Sequence, residues 1–362
     1  MNTQHIDAIA KAVLYEGYML YPYRPSSVKN RQRFNFGVLY PRLYSEAQTG
    51  SDAWSIQTEC LVRGDSVSTV EIRLRFLKLI ARSVRATEVA VGLQSVSAID
   101  GDGNLVVPWQ EAIECEVALP VCKLEGLVAT PVEWRFPFPA KEVTEPLRRA
   151  NGTVSGIVTR KQESVRGVVE GKVFPVTEGI FRLQVRVKNL TPFDGMGTEA
   201  TRDSALMRSL VSAHVLLGVA DGEFVSLLEP PEELRDLAAS CQNVGLWPVL
   251  VGAEGQRDIM LASPIILYDY PQIAPESPGD LFDGTEIDEI LALRILTMTE
   301  DEKQEMRQTD ERARKMLERT EALSMETLAK LHGTLRELRP SFLSEPARFE
   351  PARSAPARKE MP

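Results

Sequence analysis

The sequence predicts an α+β protein: a β-rich body of two mostly antiparallel blocks, a C-terminal helical appendage and a disordered tail. Three observations carry this. Period-2 alternation recurs between residues 54 and 190, as in Thr69–Leu79, where Val70, Ile72, Leu74 and Phe76 alternate with Glu71, Arg73 and Arg75. Helical spacing is confined mainly to the two ends. The last stretch repeats Pro-Ala-Arg at 346, 351 and 356, a low-complexity run that buries no core of its own.

At the N-terminus, Ile6, Ile9, Ala10, Val13 and Leu14 fall at three- and four-residue steps and predict a helix over 3–20. Strand signals follow at Phe34–Tyr40, Trp54–Val62, Thr69–Leu79, Glu88–Leu93, Ala112–Val121 and Val132–Phe138, giving a first block over 1–150. The second block, 151–273, opens as a meander of Val165–Val169, Lys172–Val176 and Phe181–Val187, with Gly171 and Gly179 read as turns. Short helices are expected at Thr201–Ser212 and Pro231–Ser240, among strands at His214–Val219, Phe224–Leu228, Pro248–Val251 and Met260–Tyr268. A linker over 274–284 precedes the appendage, 285–339, and the tail, 340–362. In the appendage, Thr299 and Glu302 form a capping box that opens one polar helix to Thr320. The apolar faces Ile287/Ile290/Ile295 and Leu328/Leu331/Leu335 are expected to dock on the body or on a partner.

Bulk properties exclude several classes. A net charge of −9 disfavours non-specific nucleic-acid binding. No apolar run reaches the roughly 18–20 residues of a membrane span, no secretion signal is visible, and four irregularly spaced cysteines suit a reducing, cytoplasmic setting. Catalytic constellations are missing. His5, His214 and His332 lie near no nucleophile elbow, there is no Cys-x-x-Cys, and no phosphate-cradling glycine loop follows a strand. His214 reads as a core histidine, and Cys115 and Cys122 as small buried hydrophobes. No cofactor and no enzymatic activity are therefore expected.

Two constellations remain. Asp100, Asp102, Asn104 and Glu111 take positions 1, 3, 5 and 12 of a calcium-loop spacing, but Leu105 replaces the required glycine and Pro108 intrudes, so a solvated turn is the preferred reading. The segment 15–44 interleaves tyrosines with cations. Its candidates for gripping a partner or an anion are Tyr21, Tyr23, Arg24, Lys29, Arg31, Arg33, Tyr40 and Arg42, because aromatic and guanidinium groups anchor interfaces and fork onto carboxylate or phosphate. The competing reading has the tyrosines pad the core edge and the arginines solvate a loop.

The stretches AVLYEGYMLYPYRPSSVKNRQRFNFGVLYPR at 12–42, AWSIQTECLV at 53–62 and DGTEIDEILALRILTMTEDEK at 283–303 resemble a bacterial family encoded beside high-affinity, oxygen-tolerant nickel–iron uptake hydrogenases. The resemblance implies an accessory role in maturation, assembly or scaffolding, with hydrogenase subunits as partners, and it brings no catalytic motif. The chain lacks the paired cysteines of a hydrogenase large subunit and the clusters of an electron-transfer subunit. The expectation is thus a non-catalytic accessory protein that binds a partner polypeptide. The rivals are an anion-binding protein or unfamiliar enzyme built on 15–44, and a structural shell or phage-like component.

Overall fold

The computed structural model describes residues 4–15, 36–88, 92–95, 99–101, 104–149, 151–194, 201–272, 295–309 and 311–323. In chain order the elements are helices α1 (Gln4–Tyr15) and α2 (Arg42–Ala47), then strands β1 (Ser55–Glu88), β2 (Gly92–Ser95), β3 (Ile99–Gly101), β4 (Asn104–Val106), β5 (Trp109–Ala118) and β6 (Cys122–Lys123). Helix α3 (Leu124–Ala129) precedes β7 (Val132–Phe138), β8 (Lys141–Arg148), β9 (Val154–Gln162), β10 (Val165–Thr177) and β11 (Ile180–Asn189). Helix α4 (Arg202–Leu206), β12 (Val211–Val225), α5 (Arg235–Ala239), β13 (Trp247–Leu250), β14 (Ile259–Ser263), α6 (Glu300–Thr309) and α7 (Glu311–Glu321) complete the order.

Twelve of the strands form one antiparallel sheet, so the expected blocks 1–150 and 151–273 share a single body. Strand β1 is its spine. One side of β1 pairs in turn with β11, β6, β5 and β2, and the other with β12 and β9. The two strands expected at 54–62 and 69–79 are continuous, because the break between them is a bulge. Asp65 accepts the backbone N–H groups of Val67 and Ser68, and Ser68 donates its hydroxyl to the Asp221 carbonyl across the ladder. The register with β12 shifts there, and Asp221 takes a positive φ of 56°. β12 in turn takes in the strand expected at 214–219 and the first two residues of the one expected at 224–228, ending at Val225.

β7–β8 and β9–β10 form one long antiparallel ribbon closed at Arg149–Thr153. It curls the sheet over itself, so that Phe136 and Phe138 of β7 lie 6.0 and 5.3 Å from Phe76 of β1. Gly171, expected in a turn, lies inside β10. A side chain there would press on Val132 at 2.9 Å and Ile72 at 3.2 Å, so the residue is glycine because two layers meet. Leu124 and Leu127 of α3 are fully or almost fully buried in this core, each contributing roughly 1.5–3 kcal/mol by burial. The described residues 4–15 of the expected helix are all helical, and the predicted stripe holds: Ile6, Ile9, Ala10 and Val13 pack on Leu216, Val249 and Leu261. Phe34–Tyr40 is not a strand over its described part: Gly37 takes a φ of 55° and only Leu39 bridges, to Leu210.

The outermost strands β7 and β13 each carry a proline that removes an outward donor. Arg166 of β10 turns its backbone N–H and C=O to Thr191 and Leu190 on the β11 side. Its partner Pro137 in β7 therefore faces outward, where proline offers no donor. In β13, Leu250 faces outward, but its N–H goes to the Asp269 carboxylate and its C=O accepts from Tyr270. Pro248 has the same parity and again removes a donor.

The capping box forms as predicted: the Thr299 amide donates to Glu302 at 2.7 Å, and the Glu302 amide to Thr299 at 3.3 Å. The single bridging helix does not. α6 and α7 fold back on each other, with Glu321 taking Lys303 at 3.2 Å and Arg307 at 3.0 Å. Met306, Ala313, Met316 and Leu317 bury a small core with Ile295 and Met298. The helix read as too polar for a core spends its few apolar residues on itself. Ile287, Ile290, Leu328, Leu331, Leu335 and the tail lie outside the described residues.

Candidate functional site

Of the Tyr/Arg candidates, Tyr21, Tyr23, Arg24, Lys29, Arg31 and Arg33 lie outside the described residues, and Tyr40 and Arg42 lie within them. These two are neighbours in sequence with opposite surroundings. Tyr40 is 2% exposed and stacks near Tyr44 at 5.3 Å, while Tyr44 meets Phe193 edge-on at 5.7 Å. Burial drives the Tyr40 hydroxyl well above the usual phenol range; the Arg202 guanidinium opposes this and Asp52 adds to it. The hydroxyl has no hydrogen-bond partner among the described residues. Arg42 faces outward on α2, bound to Glu46 at 2.7 Å and lying 4.7 Å over the Trp54 ring. At this end of the segment, the tyrosines pad the core edge and the arginine lies on the surface.

The calcium-like spacing maps onto separate elements. Asp100 lies in β3, Asn104 opens β4, and Asp102 lies outside the described residues. Glu111 is in β5, opposite Ile80. Its carboxylate accepts from Arg82 at 2.9 Å and from Arg160 at 3.0 Å, and Arg160 reaches on to Glu145 at 3.0 Å. Two guanidinium groups thus neutralise the position-12 carboxylate. No cluster of three or more His, Cys, Asp or Glu suited to a metal occurs among the described residues.

A cleft of about 260 Å³ opens between α1 and the sheet, lined by Asp7, Lys11, Leu14, Arg75, Glu114 and Glu116. Arg75 spans it, donating to Asp7 at 2.6 Å and Glu116 at 2.7 Å. Burial lowers the tendency of Arg75 to hold its proton, but these bonds outweigh it and the net shift is upward. His214 pairs with Arg75 in the ladder. It is the core histidine expected, its Nδ1 within 3.0 Å of the Ser212 carbonyl. Burial depresses its pKa to about 4, opposed by that carbonyl bond and reinforced by Arg75. Cys60 and Cys115 are buried, Cys122 and Cys241 partly so, and all four thiols are free.

A different region presents its side chains outward. The loop before β13 is pinned to β1: Glu59 is 5% exposed and accepts from Gln184 at 2.6 Å and the Gln242 amide at 2.9 Å, while Asn243 accepts from Thr58 and the Glu59 amide, both at 2.9 Å. Beyond it, Asp269 accepts from the Ser226 hydroxyl and the Leu250 amide. Ser226 in turn accepts from the amides of Leu228 at 3.1 Å and Glu229 at 2.8 Å. This relay holds Leu228 beside the segment that carries Tyr268. Trp247 pairs with Ser263, whose hydroxyl donates to the Ile265 carbonyl, so it sits beside the start of the same segment. Along it Ile265 and Leu267 pack inward on the α1 side of the sheet, while Ile266 and Tyr268 face out at 72% and 76% exposure. Leu228 is 50% exposed and Trp247 39%.

Charge concentrates here too. Residues 221–272 hold nine acids against Arg235 and Arg257 and no lysine, a net of −7 within a chain of −9. Glu223 and Glu233 pair with Arg63 at 2.9 and 3.6 Å. Glu229, Glu232 and Asp236 have no ion-pair partner among the described residues. Sequence reading missed this surface. Ile266 and Tyr268 look like inward strand positions, and only the early end of β14 at Ser263 turns them out. The charge asymmetry was legible. Among the described residues, no helix is long and apolar enough to cross a membrane. A scan against protein-family models finds no match to the chain, and a search of curated proteins finds no similar sequence.

Proposed function

We propose that the chain is a non-catalytic accessory protein that binds a partner polypeptide through the surface formed by Leu228, Trp247, Ile266 and Tyr268. The observation that carries the reading is the placing of aromatic and aliphatic side chains outward on a hydrogen-bonded framework, at 39–76% exposure. Exposed apolar groups cost solubility unless something covers them, and Trp and Tyr are the residues that most often dominate binding energy. The Asp269 relay and the Glu59 network hold the backbone beneath them, so little ordering entropy is lost on docking.

The polar clusters offer less for this reading. The cleft beneath α1 is spanned by Arg75 and its two carboxylates, and Glu111 is neutralised by two arginines. Following the resemblance at 12–42, 53–62 and 283–303, the first partners to test are subunits of a nickel–iron uptake hydrogenase.

The test is affinity purification of the tagged full chain from its native host, beside an Ile266→Asp/Tyr268→Ala variant. The wild type is expected to retain a stoichiometric polypeptide that the variant loses at unchanged thermal midpoint. Equal recovery by both, or wild type eluting alone at low salt, refutes the reading.

A further inference from the structure

The surface around Tyr268 carries two further properties that narrow what it binds. The first is its electrostatic setting. Leu228 is followed directly by Glu229, and Glu232 and Asp236 lie on the turn and helix that follow; none of these acids has an ion-pair partner among the described residues. The stretch 221–272 that carries the apolar side chains holds a net of −7, with Arg63 offsetting Glu223 and Glu233. An acidic excess of this kind favours cationic partners over phosphate backbones and anionic lipid surfaces.

The second property is backbone chemistry. Pro248 gives the outer edge of β13 no donor, and both outward groups of Leu250 are occupied by Asp269 and Tyr270. A partner therefore gains no main-chain ladder at Pro248 and Leu250 on the outer edge of β13. The exposed side chains favour side-chain contact, which an amphipathic helix supplies by laying one apolar face down and keeping its polar flanks outward.

We infer that this surface takes a basic amphipathic segment of the partner, with one or two apolar anchors seated among Ile266, Tyr268, Leu228 and Trp247 and with flanking Lys or Arg facing Glu229, Glu232 and Asp236. The inference rests on the partner-binding reading above and adds the chemistry of the bound segment.

The experiment uses the full chain and three labelled helical peptides of about 18 residues, long enough for a stable amphipathic face. One is built of Leu and Lys, one has every Lys replaced by Glu, and one keeps Lys but replaces every Leu by Ser. Fluorescence anisotropy should find the Leu/Lys peptide bound at least about tenfold more tightly than either control, and weakened as salt screens the charges. Ile266→Asp/Tyr268→Ala should weaken it about 30-fold, the effect of losing an interface hot spot. Glu229→Lys/Glu232→Lys should shift preference toward the Leu/Glu peptide. Equal binding of the acidic peptide, or binding of the basic peptide that ignores the Tyr268 variant, overturns the inference. The two readings fail separately. A polypeptide captured from the host in a Tyr268-dependent way, with no preference for the basic peptide, removes the inference and leaves the partner-binding reading intact. Loss of Tyr268-dependent capture removes both.

Discussion

Removing the Glu111 carboxylate should cost the body about 3 kcal/mol. The side chain is 19% exposed, and its main partner Arg82 is 8% exposed. Breaking a buried pair by deleting one member typically costs about 3–5 kcal/mol, because the other charge stays buried without its counter-ion. Partial exposure of Glu111 places this site at the low end of that range. The second partner, Arg160, is 34% exposed, so solvent screening limits its share to about 0.5 kcal/mol. Glu111→Ala should therefore lower the urea midpoint of the β body at unchanged m-value. Glu111→Leu combined with Arg82→Met should restore most of the loss, because a packed apolar pair replaces the ionic one without an orphan charge. The cycle closed by Glu111→Leu and Arg82→Met as single variants should return a coupling of about 2 kcal/mol. Calcium should leave every midpoint unmoved. A loss below about 1 kcal/mol would refute the account of the network, and a calcium-dependent rise in wild type that Glu111→Ala abolishes would restore the cation-loop reading of Asp100, Asp102, Asn104 and Glu111.

Three other outcomes are expected. His214 takes its proton only near pH 4 in the folded chain but near 6.5 when unfolded, so its stabilising contribution is complete above pH 6.5 and drains as pH falls toward 4, by up to about 3 kcal/mol. His214→Asn, which keeps a donor for the Ser212 carbonyl, should flatten that acid limb; an identical slope in urea titrations across pH would contradict it. Gly167→Ala should destabilise by about 1–3 kcal/mol, because its Cβ would lie 2.4 Å from the Phe136 ring. Phe136→Leu should relieve part of the clash, and full additivity of the two changes would count against close packing there. Under mild iodoacetamide treatment, mass spectrometry should find Cys122 labelled before Cys60, Cys115 and Cys241. Burial pushes Cys115 and Cys241 up to about 11 and Cys60 well above the usual thiol range, whereas Cys122 is half-buried at the surface. Prior labelling of Cys115 would contradict this order.

Local patterns in the chain were enough to establish much of its secondary structure. Val132–Phe138 alternates and is a strand with those bounds, Thr299 and Glu302 cap a helix, Gly179 makes a turn, and the stripe Ile6/Ile9/Ala10/Val13 faces the sheet. Each depends on interactions within a few residues or on one repeating face, and such interactions are written into spacing. The partners of those faces came only from the tertiary structure. The bulge that joins two strand signals into β1 needs Asp221, far along the chain, and Gly171 is glycine because Val132 and Ile72 reach it from other strands. The polar helix of the appendage folds back because Met306 finds Met316 and Leu317. Likewise, Ile266 and Tyr268 become a surface because β14 ends early at Ser263, and Asp269 then ties the segment to Ser226 and Leu250. Spacing determines which side of an element is apolar; only long-range contacts decide whether that side is covered or left for something else to cover.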